Sequence, residues 1–240
     1  MKKILLIGGD SRLGKIFYAK YKKNFEIYRT RKKKGRLDIF LDLKNIEKFK
    51  TIIKFDYVLF IAGVVDYTEC EKNFNYAKKI NCINIPRLAK NFLIQEAHII
   101  FISTNTVFKY KKKIPNENDK TCPGFNYAKL KDMTEKKLLL LKKDYPKITI
   151  LRLTKNIDKN TAPFNKWIND INKSITINAF KDLFFAPILF EDSAKLIFCV
   201  IKKNLYGIYH LSGEKDLNYC EFAKLLIKKK QKKLKAIEVY

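Results

Sequence analysis

Along the first 155 residues, short uninterrupted apolar runs alternate with longer stretches in which apolar residues recur every three or four positions. The runs Lys3–Ile7, Phe25–Tyr28, Leu37–Leu41, Tyr57–Ala62, His98–Ser103 and Ile148–Leu153 predict strands. Because they lack polar alternation, they predict a parallel sheet buried on both faces. The periodic stretches Leu13–Tyr21, Asn73–Gln95 and Phe125–Lys143 predict helices. Strand and helix in alternation give an α/β fold, a Rossmann-type doubly wound parallel sheet. After Arg152 the pattern loosens into a polar loop over Asn156–Pro163, helices over Phe164–Asn172, Ser193–Lys202 and Asn218–Lys230, and short strands over Ile175–Asn178, Leu183–Phe185 and Ile208–Leu211. Two parts are therefore expected: residues 1–155, and a small mixed α/β lobe over 156–240 from which 186–203 returns to the first part.

The first strand runs into Gly8-Gly9-Asp10-Ser11-Arg12-Leu13-Gly14. A glycine turn between a first strand and a helix suits a dinucleotide pyrophosphate. Gly8 permits the tight turn, a small Ser11 lets the backbone approach, and Gly14 lets helix and strand pack closely. Ser11 stands where the usual pattern has its middle glycine. The second strand ends in Tyr28-Arg29-Thr30-Arg31 and three lysines, without the acid that would hold a free ribose 2′-hydroxyl. Arg29 or Arg31 meeting a 2′-phosphate predicts NADPH in preference to NADH; a solvated basic loop is the plainer alternative.

The fifth strand leads into Ser103-Thr104-Asn105-Thr106-Val107-Phe108, and Tyr127 and Lys131 follow, four apart on one helix face. A tyrosine near its ordinary pKa of about 10 exchanges protons poorly at neutral pH. An ammonium one turn away, together with the positive charge of a bound nicotinamide, is expected to lower that pKa, while the Thr104 hydroxyl holds a substrate carbonyl.

Taken together, the glycine turn, the Ser-Thr strand end and Tyr-x-x-x-Lys resemble the extended short-chain dehydrogenase/reductase family. Finer features resemble its dTDP-4-dehydrorhamnose reductase branch: Leu41-Asp42-Leu43, Ala62-Gly63-Val64-Val65-Asp66, the helix from Ala77 to Asn81, Ser103 to Phe108, Ala186 to Ala194 and Gly207 to Gly213. The resemblance covers residues 1–225 and implies NADP (NADPH), or NAD, as cofactor. It implies that Gly8, Ser11, Arg12, Leu13 and Gly14 bind pyrophosphate, Asp42 and Leu43 the adenine side, and Ala62 and Gly63 the middle of the cofactor. It further implies Thr104, Tyr127 and Lys131 as catalytic residues, Tyr127 and Lys131 also touching the cofactor, with Val65, Asn105 and Thr106 near the substrate. The implied reaction is reduction of the keto group of a nucleotide-linked deoxysugar in polysaccharide biosynthesis. The implied assembly is a homodimer through helices 73–95 and 125–143. Asn105 and Thr106 replace the branch's Asp-Tyr pair, and its terminal Arg-Pro segment has no counterpart, both of which bear on the choice of sugar. Two alternatives share the fold: a non-catalytic regulatory subunit, and an epimerase that retains its cofactor.

Composition changes this picture little. The chain carries 51 basic and 24 acidic residues among 240, a net +27, which invites a polyanion partner. Only six of the basic residues are arginine, however, and the lysines are spread along the chain, so no specific nucleic acid is expected. Five cysteines without a C-x-x-C pair and two histidines argue against a metal site and for reduced thiols in a cytoplasmic setting. No apolar run reaches the roughly 18 residues of a membrane span. His210 and Trp167 are expected to serve packing, and Glu117 and Asp119 to fix the loop before Tyr127. Lys228–Lys235 is expected to be a solvated helix face.

Overall fold

The computed structural model describes residues 1–31, 39–109 and 115–230, with the backbone alone for 236–239. The expected start of the third strand (Leu37, Asp38), the lysine clusters at 32–34 and 111–113, and residues 231–235 of the lysine-rich tail lie outside the described residues. Two compact units are present, one formed by Met1–Leu153 and Ala194–Leu211, the other by Thr154–Ser193 and Ser212–Tyr240.

In chain order the first unit contains β1 (Lys3–Ile7), α1 (Arg12–Tyr21), β2 (Glu26–Arg31), β3 (Ile39–Phe40), β4 (Tyr57–Phe60), α2 (Tyr67–Lys72), α3 (Phe74–Lys78), α4 (Ile85–Ile94), β5 (His98–Thr104), α5 (Asn126–Leu141) and β6 (Ile148–Leu153). The second holds β7 (Asn156–Ile157), α6 (Phe164–Asn172), β8 (Ile177–Phe180), β9 (Phe184–Phe185) and β10 (Ile188–Leu189). Helix α7 (Phe190–Lys203) passes from the second unit to the first, where β11 (Gly207–Leu211) follows; β12 (Leu217–Asn218), α8 (Tyr219–Lys229) and β13 (Ala236–Val239) complete the second.

The seven strands of the first unit form one sheet in the order β11-β6-β5-β4-β1-β2-β3, with every pairing parallel. This is the expected Rossmann-type sheet. Ile4, Leu5, Leu6, Ile7, Val58, Leu59 and Phe60 are fully enclosed, which is why those strands read as continuous apolar runs. The returning segment is Ala194–Leu211 rather than 186–203, for a reason visible in the pairing. Ile188 and Leu189 pair with Asn156 and Ile157 inside the second unit, while Gly207–Leu211 adds to β6 at the sheet edge.

The expected helix over Asn73–Gln95 is broken and begins earlier, at Tyr67. Asn73 leaves the helical region at φ −123°, ψ 50°. Lys79–Asn84 then form a wide π turn in which the Ile85 N–H reaches back to the Ile80 carbonyl. Pro86 follows at the start of α4; without an N–H, and with its ring against the carbonyl four residues back, it disfavours an ordinary α turn there. This segment packs on α5: the Cys82 thiol donates to the Leu130 carbonyl, and the Thr134 hydroxyl meets the Asn81 carbonyl.

In the second unit Phe164, Trp167, Ile171, Ile177, Phe185, Cys220, Ala223 and Ile227 form the core. Trp167 is buried in it, its ring edge-on to Phe164 and Tyr219. Helix α8 opens on a capping box, Asn218 accepting from the Glu221 N–H while Glu221 accepts from the Asn218 N–H. Residues 236–239 form a strand parallel to β8, an element the lysine-rich tail did not announce.

Candidate active site

The sheet is parallel, so the loops that follow its strands gather at one edge, the place where open α/β sheets bind ligands. The sequence-predicted residues sit there: Gly8–Gly14 after β1, Arg29 and Arg31 at the end of β2, Asp42 and Leu43 after β3, Ala62 and Gly63 after β4, and Thr104 ending β5.

Gly8 adopts φ +98°, and a Cβ on it would stand 2.7 Å from the Ala62 nitrogen, so only glycine lets the first and fourth loops meet. Ala62 in turn donates its N–H to the Ile7 carbonyl at 2.9 Å. Ser11 takes φ −62° and ψ 158°, a conformation open to any residue, which explains why the missing middle glycine is tolerated. Its hydroxyl caps α1 by accepting from the Gly14 N–H at 3.0 Å. Gly14 is needed for closeness, since a Cβ there would lie 2.6 Å from the Gly8 carbonyl oxygen. Arg12 and Leu13 form the first turn of α1, where backbone amides lack partners within the helix.

Arg29 and Arg31 both bend to this turn. The stem of Arg29 lies against Gly9, and its guanidinium stacks 4.2 Å from the centre of the Tyr18 ring. Arg31 pairs with Asp10 at 2.9 Å. Asp42 accepts from the Lys44 N–H at 2.9 Å, and the Leu43 carbonyl accepts from the Asn84 side chain at 2.8 Å. Asn81 grips the loop after β4 with both ends of its amide, accepting from the Val64 N–H and donating to the Val64 carbonyl, each at 2.9 Å. Val65 beyond it is exposed, as is Asn105.

Thr104 accepts from the Thr106 N–H at 3.2 Å, and the two threonine hydroxyls stand 3.1 Å apart. Its hydroxyl also hydrogen-bonds the Tyr127 phenol. The Tyr67 ring tilts against Tyr127 at 4.9 Å between centroids, and Phe125 closes a triangle with them, 6.2 Å from Tyr127 and 5.1 Å from Tyr67. Lys131 is buried, donates to the Ile102 carbonyl at 2.7 Å, and lies 4.6 Å from the centre of the Phe101 ring.

The protein's own groups do not supply the expected lowering: burial, Tyr67 and Cys70 push the Tyr127 phenol above its usual value, while the Thr104 hydrogen bond pulls it down. The Lys131 amine is committed to the Ile102 carbonyl and is itself pushed down to about 8 by burial, with Glu135 pulling the other way.

Sequence reasoning missed Tyr67, Ser103, Glu135 and Arg152. Glu135 and Arg152 are 1% and 3% exposed and form a buried ion pair at 2.8 Å. Both carried a signal: Glu135 continues the four-residue spacing of Tyr127 and Lys131, and Arg152 is the lone charge in the apolar run Ile148–Leu153. Glu117 accepts from the His210 N–H at 2.9 Å, and Asp119 from the Asn116 N–H at 2.9 Å, so both acids tie down the loop before Tyr127.

The family model for the RmlD substrate binding domain matches residues 1–239. A dTDP-4-dehydrorhamnose reductase from Aggregatibacter actinomycetemcomitans is 27% identical over 194 residues, 76% of this chain and 65% of that relative. The chain thus spans slightly under two thirds of that protein's length. A crystal structure of a dTDP-4-dehydrorhamnose reductase from Clostridium acetobutylicum superposes with a TM-score of 0.83 and 26% identity, over 99% of this chain and 83% of that one. The dTDP-4-dehydrorhamnose reductase of Bacillus anthracis, solved in complex with NADP, has the same fold, with a TM-score of 0.86 and 23% identity over 100% of this chain and 85% of that one. With sheet order, turn geometry and family match in agreement, the chain belongs to the RmlD substrate binding domain family.

Proposed function

We propose that this protein is an NADPH-dependent reductase of the keto group of a nucleotide-linked deoxysugar, the type of reaction named for its dTDP-4-dehydrorhamnose reductase relatives, serving surface polysaccharide synthesis. The observation that carries the reading is the meeting of the Tyr127 phenol with Thr104 at the sheet edge that also holds the Gly8 turn.

The residues at that edge fit a dinucleotide with a 2′-phosphate. The Gly8–Gly14 turn keeps its backbone bare: a Cβ on Gly8 would run into Ala62, and one on Gly14 into the Gly8 carbonyl. Two guanidinium groups flank the turn, and a guanidinium suits a phosphate by its fork of donors. When bound, NADPH supplies the hydride. Thr104 holds the carbonyl oxygen of the sugar, and Tyr127 donates its proton to that oxygen as it becomes an alkoxide. The burial that raises the phenol's pKa keeps that proton in place until it is needed. Lys131 fixes α5 against β5 through Ile102 and offers its remaining N–H donors to the cofactor ribose. Val65, Asn105 and Thr106 border the place of the sugar.

Two further assignments belong to this reading. A homodimer is supported by the exposed apolar side chains Tyr76, Ile83 and Ile94 on the first helical stretch and Leu140 on α5. A cytoplasmic setting is supported by five cysteines, none of them in a disulfide.

The test is NADPH consumption with a panel of nucleotide-linked 4-keto sugars, beside an NADPH titration on the same sample. Turnover with any member supports the reductase. Tight binding without turnover favours the regulatory subunit or a cofactor-retaining epimerase, and no binding refutes the cofactor site.

A further inference from the structure

Helix α5 meets the end of β5 at three successive turns. Tyr127 bonds the hydroxyl of Thr104, Lys131 bonds the carbonyl of Ile102, and Glu135 accepts from the hydroxyl of Ser103. Three side chains at four-residue spacing thus hold three consecutive strand residues. Glu135 is the anchor of the series. Its carboxylate takes the Arg152 Nε at 3.3 and 3.1 Å and the second guanidinium nitrogen at 2.8 Å. Arg152 is itself fixed by the Glu117 carbonyl at 3.4 Å, by the His210 Nε2 at 3.3 Å and by the Phe108 ring, whose centre lies 4.9 Å from the guanidinium.

Such a pair is costly to bury, and packed apolar residues often stabilise as well in its place. Its position beside Lys131 and Ser103 points to a use other than stability. We propose that Glu135, held by Arg152, is a positioning residue that sets the register of α5 on β5 and so brings the Tyr127 phenol to Thr104. This rests on the reductase reading and deepens it. The carboxylate also acts on the neighbouring amine. Around Lys131 stand Glu135 on α5, Cys70 on α2 and Cys82 on the π turn, and the Glu135 carboxylate is the strongest of these in favouring the ammonium against burial. Around Glu135 stand Lys131, Arg152 and Ser103, with Glu117 and His210 behind the guanidinium.

The experiment compares wild type with Glu135→Gln, with Glu135→Gln/Arg152→Met, which removes both charges so that neither is left unpaired, and with Ser103→Ala, which keeps the ion pair. Melting curves report the fold, NADPH titration reports the cofactor site, and steady-state kinetics separate kcat from KM. A carbon-13 lysine spectrum follows the Lys131 ε-carbon, identified by its loss in Lys131→Met, and needs no turnover. For the folded double variant we expect kcat to fall by roughly tenfold or more, since sub-ångström misplacement of an acid is expensive, while NADPH affinity stays within about twofold. We also expect the Lys131 midpoint to move to lower pH. If neither pair variant folds, Ser103→Ala decides, and kcat is expected to drop severalfold with the melting temperature held. A folded double variant with wild-type kcat overturns the proposal, as does unchanged kcat in Ser103→Ala where that variant decides. If the wild type reduces no sugar, the reductase reading fails separately; Glu135 is then judged on the Lys131 midpoint alone, and an unchanged midpoint overturns its role.

Discussion

The buried lysine gives the sharpest quantitative test. Lys131 is 5% exposed, and burial lowers its amine from 10.5 to about 8. In the unfolded chain it returns to the ordinary value. Each pKa unit is worth 1.36 kcal/mol, so burying the charged amine costs about 3 kcal/mol at neutral pH. The sign follows from proton counting. Below pH 8 both states hold the proton and the cost is felt in full. Between about 8 and 10.5 the unfolded state keeps the proton and the folded state has lost it, so stability attributable to Lys131 rises with pH. Above 10.5 neither state holds it and the cost has gone. Lys131→Met removes this titration and keeps most of the buried stem. It also loses the hydrogen bond to Ile102, which offsets the curve without tilting it.

The assay is urea unfolding of wild type and Lys131→Met at half-unit steps from pH 7 to 10.5. Other tyrosines and lysines titrate in both proteins and cancel in the difference. Wild type is expected to gain about 3 kcal/mol on the variant across that window. Two curves that stay parallel would refute the reasoning, since they would place the amine in water, free of the Ile102 carbonyl.

Tyr127→Phe is expected to lower NADPH-dependent reduction by roughly a hundredfold or more, the scale of a lost general acid, while a fluorescence titration finds NADPH affinity nearly unchanged. Replacing Arg29 and Arg31 together by alanine is expected to erase the preference for NADPH over NADH by roughly 10- to 100-fold, the worth of one or two charge-assisted hydrogen bonds; paired titrations with the two nucleotides check it. Gly8→Ala forces a side chain into φ +98° and within 2.7 Å of the Ala62 nitrogen, so NADPH binding by calorimetry is expected to vanish before the fold does. Asn81→Ala strips both hydrogen bonds from Val64 and is expected to cost about 1–3 kcal/mol in urea unfolding.

The sheet was legible because its central strands β1, β4, β5 and β6 are enclosed on both faces, which writes an unbroken apolar run into the sequence; β6 was read to the residue as Ile148–Leu153. The helix from Asn73 was less so, because apolar spacing cannot register a residue such as Asn73 that leaves the helical region, or the wide turn ahead of Pro86. The loops of the site were legible as motifs, since Gly8 and Gly14 are each required by a contact a Cβ would break. Glu135 and Arg152 were less so: each carries a local signal, but nothing in sequence pairs two charges 17 residues apart.

The protein's own groups hold the Tyr127 phenol in its protonated form. A dehydrogenase working from an alcohol needs a base, and gains from a phenol drawn down toward neutrality. Here burial and the neighbouring Tyr67 do the opposite, and the Lys131 amine is turned to a carbonyl and pushed down by burial. A phenol held protonated is the resting form that a ketone reductase requires. Raising its pKa does not make it too weak an acid for the task. The acceptor is a developing alkoxide, whose conjugate acid is a weaker acid than a phenol, so the proton has somewhere to go as the hydride arrives. The hydrogen bond from Thr104 then matters twice, aligning the phenol and lowering its pKa against burial. Thr104→Val, which keeps the shape and removes the hydroxyl, should therefore slow reduction and raise the phenol further. Thr104→Ser should restore both, a pattern that mere loss of packing at this position would not produce.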